Sequence, residues 1–128
     1  MSYYFAKRVE GSFDDVIARV TDVLKTEGFG VLTRIDVQET LKKKLDADFR
    51  PYVILGSCNP PFAHRALLAE DKIGLMLPCN VVVQQTTDGA IEVSAIDPIA
   101  SMQAVENESL RDIALAVQAK LRKVVESL

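Results

Sequence analysis

The chain has 128 residues, 48% hydrophobic and 26% charged, the length and balance of a single folded domain with a real core. A net charge of -3 and an isoelectric point near 5.1 exclude a general nucleic-acid binder, which needs a concentrated excess of Lys and Arg to displace phosphate counterions. The start, MSYYFAKRVEGSF, lacks the apolar stretch of a secretory leader, and the longest apolar run, Ile73 to Val83, is too short to span a membrane, so a cytoplasmic protein with reduced cysteines is expected.

The segment SYYFAKRV alternates and is rich in aromatics, as a first strand should be. Ser12 then stands as a helix N-cap with Asp15 three residues on, a carboxylate form of the capping box. Phe13, Val16, Ile17, Val20 and Leu24 recur at helical spacing and predict a helix packed on a sheet. Gly28 is placed to end that helix in the left-handed conformation. GVLTRIDV reads as the second strand and VQETLKKKL as a short helix, with Lys42, Lys43 and Lys44 on a solvated face.

YVILG, Tyr52 to about Gly56, is a compact third strand ending just before Cys58. Asn59 and Pro60 read as N-cap and first residue of a helix over PPFAHRALLAED. CNVVVQQ and AIEVSAI are strands joined at Asp88-Gly89, a strong hairpin signal, and Asp97-Pro98 after them is a turn. Leu110, Ile113, Val117, Leu121, Val124 and Leu128 describe an amphipathic C-terminal helix. The order is β-α-β-(α)-β-(α)-β-β-α, an α+β two-layer domain with one sheet face as its core. Its second sheet face is either solvated or covered. The unbroken run Val81-Val82-Val83 favours a covering partner subunit, hence a homodimer.

Both cysteines, the single histidine and the dipeptide Cys-Asn, twice, fall within residues 55–83. If strands three and four are antiparallel neighbours, Cys58-Asn59 and Cys79-Asn80 meet at one end of the sheet, about 5 Å apart. Cys58 also precedes a helix start, where unpaired N–H groups favour a negative charge and so the thiolate. His64 lies one turn into that helix, near Cys58 on a neighbouring stripe.

Three readings of this segment are open. The cysteines are small buried hydrophobes, with Asn59 capping the helix and Asn80 satisfying loop backbone. Alternatively Cys58, Cys79, His64 and carboxylates such as Glu70 or Asp71 hold a soft metal or metal-containing cofactor, although the spacing matches no compact zinc pattern. In the third, Cys58 is an attacking thiolate and Cys79 its resolving partner, without the Cys-x-x-Cys spacing of redox motifs. Dinucleotide, Walker, nucleophile-elbow and His-Glu-x-x-His motifs are all missing, and with 6% aromatics and no Trp there is little for a base-stacking platform.

EGFGVLTRIDVQETLKKKL, YVILGSCNPPFAHRAL, IGLMLPCNVVV and AIDP together resemble the bacterial and archaeal family known as domain of unknown function 302, over nearly the whole chain. The family pattern falls on Leu55-Gly56, Cys58-Asn59-Pro60, Ala63, Ala66-Leu67 and Leu77-Pro78-Cys79-Asn80-Val81, while Pro61 and His64 fill positions expected to vary. The resemblance implies an antiparallel sheet with two long helices on one face, as in the TATA-box-binding-protein-like architecture, but no DNA binding and no particular reaction. It favours a genuine Cys58/Cys79 neighbourhood. The resulting expectation is a cytoplasmic ligand- or soft-metal-binding, sensory domain with its site at Cys58, Asn59, Cys79 and Asn80. A thiol-dependent enzyme or redox switch and a structural interaction module are the alternatives.

Overall fold

The computed structural model describes residues 2–128. Five strands, β1 (Tyr4–Val9), β2 (Gly30–Asp36), β3 (Tyr52–Cys58), β4 (Cys79–Gln85) and β5 (Ile91–Ile96), form one antiparallel sheet in the order β1-β5-β4-β3-β2. The helices are α1 (Phe13–Thr26), α2 (Val37–Leu45), α3 (Pro60–Ala69), the single-turn α4 (Pro98–Ser101) and α5 (Arg111–Glu126), with short 3-10 turns at Ile73–Met76 and Glu108–Leu110.

Side-chain alternation divides the sheet. Val53 and Leu55 of β3, Val81 and Val83 of β4, and Ile91, Val93 and Ala95 of β5 are buried in one core with Val16, Ile17, Val20 and Leu24 of α1 and Ile113, Val117, Leu121 and Val124 of α5. The two long helices therefore cover the same sheet face, and they touch each other. Val82, between two fully buried valines, points to the opposite face and is half-buried there among its strand neighbours. The valine run is thus compatible with a sheet that carries its two long helices on one side.

Local chemistry explains the element ends. Ser12 accepts the Asp15 N–H at 3.2 Å, as its N-cap position predicts. At the other end of α1, Gly28 has φ +85°, and the amides of Gly28 and Phe29 return to the carbonyls of Lys25 and Leu24. This is the Schellman arrangement, with Phe29 and Leu24 both buried in the core. Two differences from the sequence reading bear on the site. Strand β3 continues through Ser57 and Cys58, because both pair with neighbouring strands. Asp97-Pro98 opens α4 rather than a plain turn: the Asp97 carboxylate accepts the Ile99 N–H and the Gln118 amide of α5, both at 3.0 Å.

Gly56 lies where three strands and a loop converge. It pairs with Thr33 of β2 and Asn80 of β4, and β2 carries an irregularity between Val31 and Thr33. A Cβ on Gly56 would collide with Thr33 Oγ1 and come within 2.9 Å of Pro78 Cγ, the proline of a cis Leu77–Pro78 bond. Gly56→Ala is therefore expected to destabilise the fold by about 1–3 kcal/mol through overpacking, seen as a lower urea midpoint. A Thr33→Ala background should relieve part of that loss, and equal losses with and without Thr33→Ala would show that the Thr33 contact is not the cause.

Candidate functional site

The end of the sheet where β3 leaves and β4 begins carries both cysteines, each a free thiol and partly exposed. Ser57 stands opposite Cys79, while Cys58 stands opposite Gly30 of β2. The cysteines are therefore offset by one residue rather than facing one another. Ser57 is fully buried, and its hydroxyl donates to the Cys79 carbonyl at 2.7 Å. That bond satisfies a polar group that would otherwise be costly to bury in a strand of apolar residues.

Both cysteines line one cleft of about 320 Å³, bounded by the sheet end, α3, α5 and the segment Leu77-Pro78. Phe62, Ala63 and Ala66 of α3 and Ile113, Ala114 and Val117 of α5 supply its apolar walls. The alanines leave volume that larger side chains would fill. A larger, open depression of about 550 Å³ lies between α4, the following loop and the start of α5, but its lining includes Glu106, Glu108 and Arg111 and no thiol.

Burial pushes the Cys79 thiol up from its ordinary value of 9.0 to about 11, with the negative charge of a nearby Cys58 thiolate adding to the effect. At neutral pH Cys79 is a neutral thiol. The expected anion-favouring helix start is weak. Pro60 and Pro61 occupy the first two positions of α3 and have no N–H, which leaves Phe62 as the one donor among the first three helical positions.

The other predicted residues separate. Asn59 is buried and holds the N-cap position, but its side chain does not cap α3: Nδ2 donates to the Glu27 carbonyl at 3.1 Å. The capping explanation of Asn59 is thereby replaced by a tether between the end of α1 and the start of α3. Asn80 lies opposite Gly56, exposed on the helix-free face beside Tyr52 and Gln84. The alternation of β4 sends it away from Cys79, so it does not join the cleft. His64 is exposed and outside the cleft lining. Glu70 accepts from Asn107 at 3.3 Å, and Asp71 pairs with Lys72 at the surface. Among the described residues no group of three or more His, Cys, Asp or Glu is arranged to hold a metal ion.

Sequence reasoning passed over Ser57 and Asn107. Ser57 had a signal, a hydroxyl within an otherwise apolar strand. Asn107 had none: its Nδ2 reaches the Ala69 carbonyl at 2.8 Å, a contact 38 residues away along the chain that holds the end of α3 beside the loop before α5.

An α+β domain with one antiparallel sheet and an apolar, thiol-bearing cleft at the sheet end is the class that this geometry defines. The profile described as "Domain of unknown function DUF302" matches residues 5–128, and the chain belongs to that family. The crystal structure of an uncharacterised conserved DUF302 protein from Bacillus stearothermophilus is similar, with 31% sequence identity, a TM-score of 0.91 and 98% of each chain covered. No curated protein matches the sequence. No helix among the described residues is long and apolar enough to cross a membrane.

Two outcomes follow. Asn59→Ala removes the donor to a backbone carbonyl in a buried junction and is expected to cost about 1–3 kcal/mol in urea unfolding. Asn59→Asp, which sets a carboxylate oxygen against that carbonyl, should cost more; a neutral effect of both would refute the tether. For Cys79, the folded state holds the proton more tightly than the unfolded chain does. Its contribution to stability is thus full below pH 9 and lost as pH rises toward 11. Cys79→Ser should flatten the alkaline fall of stability across that window, and the ultraviolet thiolate absorbance of Cys58→Ser, which retains Cys79 alone, should rise only near its top.

Proposed function

We propose that this domain is a small cytoplasmic binding or sensory module whose site is the cleft beside Cys58 and Cys79. One observation carries the reading: two unbridged thiols from different strands line the same apolar cleft at the end of the sheet. A pocket with apolar walls and a few placed heteroatoms is the usual form of a small-molecule site. Unbridged cysteines suit a reducing compartment. The soft-metal version of the reading has less support, since the cleft offers two thiols, the Met102 thioether and no imidazole or carboxylate. A partner subunit is proposed for the helix-free sheet face, where Tyr4 and Ile35 are 45% and 49% exposed.

The thiol-chemistry reading rests on a different observation. Burial keeps Cys79 protonated, which leaves Cys58 as the one candidate attacking group, at a helix start that supplies little help. It requires Cys58 to be alkylated faster than an unstructured thiol at neutral pH.

The test is native mass spectrometry of protein purified anaerobically and without chelator, comparing the parent with Cys58→Ser, Cys79→Ser and the double variant. A bound species retained by the parent and weakened at least about tenfold by either substitution is the expected result. Binding that survives in the double variant would remove the cysteines from the site.

A further inference from the structure

The chemistry of the cleft narrows its ligand further, and this inference rests on the binding reading above. Of its lining residues only Thr33, Ser57, Cys58, Asn59, Cys79 and Met102 carry side-chain heteroatoms, and none is a charged residue. Two of the donors are already committed: the Ser57 hydroxyl is held by the Cys79 carbonyl, and one N–H of the Asn59 amide by the Glu27 carbonyl. With two prolines opening α3, backbone N–H groups do not make up the deficit. An ion entering this space would lose hydration and find no opposite charge.

The rim points the same way. Leu32 and Leu67 line the cleft yet remain 68% and 46% exposed, so the mouth as well as the floor is apolar. Phe29 and Phe62 stand in the same wall as the two sulfurs, a combination of polarisable groups suited to a flat, unsaturated molecule. Volume sets the size. An engineered apolar cavity of about 150 Å³ holds one benzene, and the 320 Å³ here is close to twice that.

We propose that the cleft binds an uncharged, largely apolar molecule with roughly the bulk of two fused aromatic rings, seated against Cys58, Cys79 and Phe62. A neutral thiol at Cys79 fits this, because it adds no charge to the floor. Binding should cover both thiols and couple occupancy of the cleft to their accessibility.

Saturation-transfer NMR with naphthalenemethanol tests the class, with naphthalenesulfonate and naphthylmethylammonium as its anionic and cationic counterparts. Alkylation of Cys58, followed by mass spectrometry, reports where each probe sits. The expected result is transfer from the neutral probe, protection of Cys58 by it, and at least about tenfold weaker binding of both ions. Ala63→Phe, which fills the cleft from α3, should abolish transfer. Should that variant fail to fold, protection of Cys58 in the parent chain still locates the probe. If no probe binds, or if binding leaves Cys58 unprotected, the cleft reading itself falls. If an ion protects Cys58 as well as the neutral probe does, the cleft is a site but the uncharged class is wrong.

Discussion

The space above Gly56 is the constraint on which the site depends. Thr33 from β2 and Pro78 from the approach to β4 both occupy the volume of the missing side chain, so three strands meet there with no slack. Register is thereby pinned at the end of the sheet, where a slip of one residue would exchange the two faces of a strand. With that register Ser57 falls opposite Cys79, its hydroxyl reaches the Cys79 carbonyl, and Cys58 is delivered to the last position before the chain turns into α3.

The second support is the junction of α1 and α3. The Schellman turn at Gly28 leaves the Glu27 carbonyl pointing outward, and Asn59 meets it. Because Asn59 directly follows Cys58, one hydrogen bond positions the thiol, the start of α3 and the end of α1 together. Asn107 does the same at the other end of α3 through the Ala69 carbonyl. A ten-residue helix that buries only Ala66 is thus held largely by its two ends. The incomplete packing along its length is what leaves room for the cleft. A well-packed core would close this volume, at the density typical of protein interiors.

Two identical dipeptides illustrate how little local sequence says about a site. Cys58-Asn59 stands where a strand becomes a helix, so its asparagine turns inward to a backbone carbonyl and is buried. Cys79-Asn80 stands where a strand begins, so alternation sends the asparagine to the helix-free face. Equal chemistry meets unequal geometry. The separation of the thiols has the same origin: pairing is between residues of equal register, and Cys79 is level with Ser57, not with Cys58.

Much of the fold was legible because it is written in short-range patterns. The apolar stripes of α1 and α5, the Ser12 cap, the Gly28 terminus and the Asp88-Gly89 hairpin each follow from period or from the backbone freedom of a single residue type. The clustering of Cys58 and Cys79 at one sheet end followed from the same element order, and family membership from the motifs around them. What the sequence could not decide were the quantities that depend on contacts between distant segments. Burial that keeps Cys79 protonated, the partner of Asn59 thirty-two residues away, the exclusion of His64 and Asn80, and the unfilled volume beside Ala63 and Ala66 all require the packed arrangement. Local pattern determines which elements form, because it acts through neighbours along the chain. The tertiary structure alone determines which side chains share a solvent-poor space, because desolvation and register are properties of what has been brought alongside.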